Sequence, residues 1–475
     1  MELSELTTSW PTHSYFRSNL DPYDPKMMNG YDSNCYDSSI ITMTTPENSS
    51  ISSVNFSMVC DDSSYGHEDI HNPPLVNMEG IDDVCKWLYD DRNGHGTDEA
   101  SVCVVEDDAM ENDSQTGIKN LLMAYADAKG MEHEELAKVI AKCLSEKANP
   151  IGSPLERVTF NLFQQEEHEE EAYLKQESVR NFNQAFRAFY DIFPYGKFAH
   201  LMAGSAIIEA VPTHVVSIVI IDFDLCEGSQ WPPVIEAMAR MKKSLTIISI
   251  KLDQDQNSRF EETKKHLCNF ARSLGLNLKV QEMDMAQIFN KMVGREFVAF
   301  NCMVGLPHMR SSRNKTQVMS FLRMAKRVLA KNEGIITFGD GEGYENTRNS
   351  SDFSSFFNKF LARYKALYES MEWGFPSYLS EARITMETLF LAPFVSSNSW
   401  FQKWEEQRED MAFDMNLHTG YGLKGQRMSQ ESRNEARELV KAGETPYKIR
   451  IKGDDENEMV LEWRGTSLVR VSSWK

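Results

Sequence analysis

The sequence predicts an α/β fold: a doubly wound, mostly parallel sheet preceded by a helical section and finished by short antiparallel strands. Three observations predict it. Residues 215–222 are a continuous β-branched run, as expected of a strand buried on both faces. Downstream, strand-like runs alternate with helical stretches of about ten residues or more, the pattern of βαβ units with right-handed crossovers. Residues 448–472 then switch to short alternating runs separated by glycine-containing turns, which read as antiparallel hairpins.

The chain opens differently. Residues 1–112 are rich in Ser, Thr, Asn, Asp and Pro and carry no sustained helical or strand period. They hold 22 acidic and 4 basic residues, a net charge of −18, whereas residues 113–475 hold 49 and 46, a net of −3. Such a composition buries too little apolar surface to offset ordering entropy, so an acidic, disordered region 1–112 is expected ahead of a nearly neutral globular region 113–475. One island, residues 81–91, sets Val84, Trp87 and Leu88 at helical spacing among acids. That suits either folding on a partner or a chance apolar cluster in a linker.

Ile118, Leu121, Leu122 and Tyr125, then Leu136, Val139, Ile140, Cys143 and Leu144, recur at three and four residues, which predicts two amphipathic helices. Residues 149–154 hold two prolines and a glycine and break the pattern. Helices are expected next over 155–165 and 181–193, the latter with Phe182, Phe186, Phe189 and Phe193 on one face. In the body, strands are expected at 215–222, 245–252, 278–281, 296–303 and 334–339, with helices at 232–243, 259–274 and 317–330. The final strands, 448–452, 458–464 and 467–472, would close the sheet edge.

Charge and cysteine usage limit the function classes. The acidic balance disfavours a chain that grips phosphates by itself. Arg310, Arg313, Lys315, Arg323, Lys326, Arg327 and Lys331 keep direct DNA binding open, although such a run is more often a solvated helix face. The 8 cysteines lie singly, with no Cys-x-x-Cys pair and no histidine cluster at ligand spacing. A reduced intracellular protein without a metal site is expected. No signal-peptide pattern opens the chain and no apolar run approaches the ~20 residues that span a bilayer, so a soluble protein without membrane partners is expected.

In an open α/β sheet, ligands bind outside the carboxyl ends of the strands. The first loop there is Asp222-Phe223-Asp224-Leu225-Cys226-Glu227-Gly228-Ser229-Gln230-Trp231. A nucleotide or S-adenosylmethionine site needs glycines at positions 224, 226 and 228 so that bare backbone can approach the ligand. Only Gly228 is present, and Asp224 adds bulk and repulsion. Asp253 could take ribose hydroxyls at the end of the second strand, or could be a surface acid. Asp222, Gly228 and Asp253 are therefore the cofactor-binding residues of a rival reading, a methyltransferase or small-molecule binder. No nucleophile elbow, Ser-His-Asp context or His-Glu-x-x-His run occurs, and His214 and His308 read as packing or surface residues. No catalytic residue and no cofactor are expected.

Together these pieces resemble the plant GRAS family of transcriptional regulators. Val219-Ile220-Ile221-Asp222-Phe223-Asp224, followed by Glu227-Gly228-Ser229-Gln230-Trp231-Pro232, is similar to that family's VHIID block. The approach to it, Phe189-Tyr190-Asp191-Ile192-Phe193-Pro194-Tyr195-Gly196-Lys197-Phe198-Ala199-His200, is similar too, and residues 118–148 resemble the first leucine-rich region. Trp463 and Ser472-Ser473-Trp474 resemble the SAW block, while the PFYRE block is only partly recognisable in residues 383–387 and Trp404. Glu227-Gly228, Phe300-Asn301-Cys302-Met303, Leu306-Pro307-His308 and residues 372–376 are most similar to the branch acting in nodulation signalling. The resemblance implies a Rossmann-type, methyltransferase-like core over 201–475 with a helical cap over 113–200. It also implies nuclear action, with the cytoplasm as a second compartment, and pairing with other GRAS-domain proteins as a hetero-oligomer or a homodimer. DNA would then be reached mainly through a partner, in signalling with rhizobia or arbuscular mycorrhizal fungi.

The leading expectation is thus a non-enzymatic co-regulator whose helical cap binds a second GRAS protein. Leu121, Leu122, Leu136, Val139, Ile140 and Leu144 are its expected interface, because a helix pair apolar beyond one stripe must bury the excess somewhere.

Overall fold

A computed structural model describes residues 107–164, 185–251, 257–292, 294, 297–309, 315–341, 350–375, 377–409 and 422–475. The island 81–91, Phe182, Asp253, Arg310 and Arg313 lie outside the described residues.

Three helices open the described chain: α1 (Asp107–Gly130), α2 (Glu134–Lys147) and α3 (Pro154–Phe163). The composition boundary expected at 112 therefore falls inside α1. Ser153 starts α3 with a capping box to Glu156 and Pro154 at its first position, which fixes the turn that the proline cluster predicts. Helix α4 (185–192) leads into α5 (Pro194–Ala210).

The α/β body follows as β1 (Ser217–Asp222), α6 (Trp231–Arg240), β2 (Ser244–Ile250), α7 (Asn257–Ser273), β3 (Leu278–Met283), α8 (Met285–Met292), β4 (Phe297–Val304), α9 (Lys315–Leu329) and β5 (Gly334–Asp340). Each expected strand is present, with ends displaced by a few residues. Helices α10 (Phe353–Gly374), α11 (Ser380–Phe390), α12 (Ser397–Glu409) and α13 (Gln430–Leu439) come next, then β6 (Tyr447–Lys452), β7 (Glu458–Trp463) and β8 (Thr466–Trp474). Helices α8 and α10 to α13 were not anticipated from the sequence.

The eight strands form one sheet in the order β3-β2-β1-β4-β5-β8-β7-β6, parallel through β5 and antiparallel beyond it. Strand order reverses between β1 and β4, and this switch point opens the crevice that α/β proteins use for ligands. The antiparallel strands do more than close an edge. Met459, Leu461, Trp463, Leu468, Val469 and Val471 share one core with α1 to α5 and with α10, so the end of the sheet seats the helical layer. The parallel strands have separate apolar cores on their two faces.

A buried ion cluster ties the helical layer together. Arg157 on α3 donates from Nε and Nη2 to the Glu387 carboxylate on α11 (3.0 and 3.2 Å). Its Nη2 also reaches Glu372 on α10 (3.0 Å), and Nη1 reaches the Gly152 carbonyl (2.6 Å). Arg383 lies 3.4 Å from Glu372 and 3.5 Å from Glu387. Burial pushes Glu387 above the usual carboxylate range while Arg157 and Arg383 oppose it.

Candidate functional site

The strand register assembles the crevice from residues far apart in sequence. Asp222 at the end of β1 lies opposite Asn301 on β4, which lies opposite Thr337 on β5. The start of α6 brings in Gln230 and Trp231. Asp222 Oδ1 accepts from Asn301 Nδ2 (2.8 Å), and its Oδ2 accepts from Trp231 Nε1 (3.1 Å). Asn301 Oδ1 in turn accepts from Gln230 Nε2 (3.0 Å) and Thr337 Oγ1 (2.9 Å). All five side chains are buried. Burial drives the Asp222 carboxyl up to about 8 against the bonds from Asn301 and Trp231, so it is mainly a neutral acid at pH 7.

The loop after β1 is stapled to the protein at Cys226 and Gly228. Cys226 has φ +46° and donates its N–H to Asp224 Oδ1 (3.1 Å), while its carbonyl accepts from Thr263 Oγ1 (3.1 Å). Gly228 has φ +74°, and a Cβ there would stand 2.8 Å from Thr263 Cγ2. The positive φ and the approach of α7 thus both call for glycine there. Glu227 on the same loop forms an ion pair with Arg259 at the start of α7. Burial holds the Cys226 and Cys302 thiols well above their ordinary value, so neither is an activated thiolate.

On the other side of the loop, rings from α4 and α5 close the space. Tyr190 Oη and His200 Nδ1 are 2.9 Å apart, and the His200 and His308 rings meet edge to face at 5.0 Å. A Cβ on Gly196 would stand 2.6 Å from His308 Nδ1, so glycine there admits the ring. Burial lowers both histidines, His308 to about 3, and they are neutral at pH 7. What remains between Phe186, His200, Cys226, Met303 and His308 is a cavity of about 10 Å³, room for about one water. Pockets that take drug-sized ligands measure roughly 300–1,000 Å³. His308 is a packed residue and His214 a surface one, exposed and 3.9 Å from Glu333.

The expected interface separates into two groups. Leu121, Leu122, Ile140 and Leu144 are buried in the chain's own core, which corrects their assignment to a partner surface. Helices α1 and α2 cover one another and pack on α3 and α10, so the apolar excess is consumed internally. Leu136 is 42% exposed and Val139 half-buried; with Met123 and Met131, also exposed, they leave an apolar strip on this layer. Sequence reasoning missed a second exposed group near the end of α10, where Trp373 is 56% and Tyr378 82% exposed. Nothing in their local pattern separates them from the buried aromatics of α10.

Of the basic residues, Arg323, Lys326, Arg327 and Lys331 are exposed on or just beyond α9, and Lys315 is half-buried. Among the described residues no His, Cys, Asp and Glu side chains converge as a metal site. No helix among them is long and apolar enough to cross a membrane.

The profile of the GRAS domain family matches residues 118–475. Over 307 residues the chain is 30% identical to Protein NODULATION SIGNALING PATHWAY 2 of Medicago truncatula, covering 61% of this chain and 58% of that protein. The protein of the same name from Lotus japonicus is 28% identical over 305 residues, again with 61% and 58% coverage. The matches thus span less than two thirds of either relative. Among solved structures, SCL7 of Oryza sativa superposes with a TM-score of 0.56 at 21% identity, over 75% of this chain and 99% of that one, and shares the fold.

Proposed function

Because the chain belongs to the GRAS domain family, we propose that it is a non-enzymatic transcriptional co-regulator. It acts in the nucleus in root symbiosis signalling and pairs with other GRAS-domain proteins. The names of the two relatives support the signalling context. One observation carries the non-enzymatic reading: among the described residues, the chain's own Asp222, Gln230, Trp231 and His308 side chains crowd the switch-point crevice around a cavity of about 10 Å³. A scaffold whose ligand crevice is packed like a core serves as a docking body.

Titration with S-adenosylmethionine tests that reading. No thermal shift is expected at millimolar ligand, whereas binding at a hundredfold excess over Kd would raise stability by about 2.7 kcal/mol. A saturable shift would restore the methyltransferase reading.

Pairing is assigned to the strip that remains exposed on α1 and α2. Leu136→Glu combined with Val139→Glu should cut co-purification of a second GRAS-domain protein at least tenfold, about 1.4 kcal/mol, with circular dichroism unchanged. Full recovery of the partner would move the interface, and Trp373→Ala with Tyr378→Ala would then locate it at the end of α10.

A further inference from the structure

We infer that the basic stripe of α9 and the acidic stripe of α13 are two halves of one contact, by which a second copy of this chain docks head to tail on the first. Each half is a row of like charges that meets no opposite charge among the described residues. On α9, Lys326, Arg327 and Lys331 are exposed, and none of them pairs with a carboxylate there. No Asp or Glu occurs between Phe297 and Asn332, and the next acid, Glu333, lies 3.9 Å from His214. The Arg327 guanidinium lies 4.7 Å over the Phe289 ring of α8, and Lys331 Nζ lies 5.2 Å from the same ring, so both cations are held in place.

On α13, Glu431, Glu435 and Glu438 follow one another at four and three residues, which sets them on one stripe. Glu209 of α5 joins them, its carboxylate accepting from Ser429 and Ser432 (2.7 and 2.6 Å). The neighbouring arginines are engaged elsewhere: Arg427 and Arg433 pair with Glu456, and Arg437 donates to Asn434. Burial, then Glu431, Glu209 and Glu438, push Glu435 up to about 7 against the Ser205 hydroxyl. Ser205 is 3% exposed, and its hydroxyl stands beside that carboxylate without completing a hydrogen bond. A helix that carries like charges one turn apart loses stability unless a cation arrives from outside.

One chain cannot bring the two stripes together. Helix α9 packs with Val219, Ile221 and Phe300 on one face of the sheet, whereas Ala206, Ile207 and Ala210 of α5 pack with Ile218 and Ile220 on the other, and α13 lies on α5. The contact is therefore between copies, and charge complementarity selects the second copy as occupant. Arg327 and Lys331 stand one turn apart, as Glu431 and Glu435 do, about 6 Å along each helix, so the two rows match in spacing. Exposed ion pairs hold little each, which sets a weak contact with a Kd of about 0.1–1 mM. Because the two surfaces differ, the contact is heterologous and does not close at a dimer. It is separate from the apolar strip on α1 and α2.

Sedimentation of the full chain at concentrations up to about 1 mM tests the inference. In dilute salt the average mass should rise with concentration beyond that of a dimer, and the rise should vanish at about 0.5 M salt, where screening shortens to about 4 Å. Lys326→Glu, Arg327→Glu and Lys331→Glu together should abolish it, and so should Glu431→Lys with Glu438→Lys. All five positions are exposed, so the circular dichroism of both variants should match the parent. An equimolar mixture of the two variants should associate at least tenfold more tightly than either alone, because each reversed stripe then meets its complement. Leu136→Glu with Val139→Glu should leave the self-association intact. A parent that stays monomeric, reversed variants that associate as the parent does, or a mixture without recovery would each overturn the inference. Loss in the Leu136→Glu, Val139→Glu variant alone would do so too, by placing self-association on the apolar strip. A monomeric parent that captured a Lys/Arg-rich peptide through Glu431 and Glu438 would make the occupant a different, basic protein instead.

Discussion

Arg157→Met is expected to destabilise the protein by about 3–5 kcal/mol, read as a lowered denaturant midpoint at pH 7, and to abolish partner pairing as a consequence. Arg157 is 1% exposed and sits between Glu387 and Glu372, carried by two helices more than 200 residues away in sequence. Removing Arg157 leaves the buried Glu387 carboxylate with Arg383 at 3.5 Å as its remaining cation, and breaking a buried ion pair costs more than the intact pair contributes. Glu387 is already raised by burial. Without Arg157 the carboxyl would ionise at still higher pH, so the loss should shrink as the medium is acidified toward pH 4. Arg157→Lys should recover little, because an ammonium cannot serve Glu387 with two parallel N–H groups while reaching Glu372. Arg157→Met combined with Glu387→Leu should regain much of the loss. A single variant as stable as the parent would show that the helical layer is held by its apolar core alone.

Asp222→Asn should change the pH dependence of stability more than any other substitution in the crevice. The folded-state carboxyl is raised to about 8, against about 3.9 in an unfolded chain. Between these values the folded protein keeps a proton that the unfolded chain has lost, so stability falls as pH rises through the window. The fall should approach 1.4 kcal/mol per pH unit in the difference between parent and variant. Below pH 4 the variant should be the weaker by about 1–3 kcal/mol, because an amide offers one acceptor where Asn301 and Trp231 together supply two donors. The order should reverse between about pH 5 and pH 6, one to two pH units above the unfolded value at that slope. Parallel stability curves from pH 4 to pH 9 would mean that the carboxyl titrates no higher in the fold than in the unfolded chain, and the docking-body reading would lose its electrostatic support.

The parallel body was legible because both of its signals are local. Val219, Ile220 and Ile221 are buried on both faces, so a continuous apolar run announces β1 regardless of its neighbours. The loop was legible only in part: Asp224 and Cys226 stand where a fingerprint would have glycine, but that the Cys226 N–H is given to the Asp224 carboxylate is seen only in the structure. Gly228 was less legible. One glycine at a fingerprint position has the same appearance whether a ligand or Thr263 approaches it, and only the packing of α7 distinguishes the two.

Sequence by itself thus determined the alternating strands and helices, the charge division near the start of α1 and the missing glycines of the first crossover. Tertiary structure alone decided that Leu121, Leu122, Ile140 and Leu144 turn inward while Leu136, Trp373 and Tyr378 remain exposed. It also decided that Asp222, Asn301 and Thr337 form one hydrogen-bonded unit, and that Arg157 meets Glu387. The reason is physical. Periodicity records that a face is apolar, but what covers that face, and which charges stay dry together, depends on elements brought into contact from distant parts of the chain.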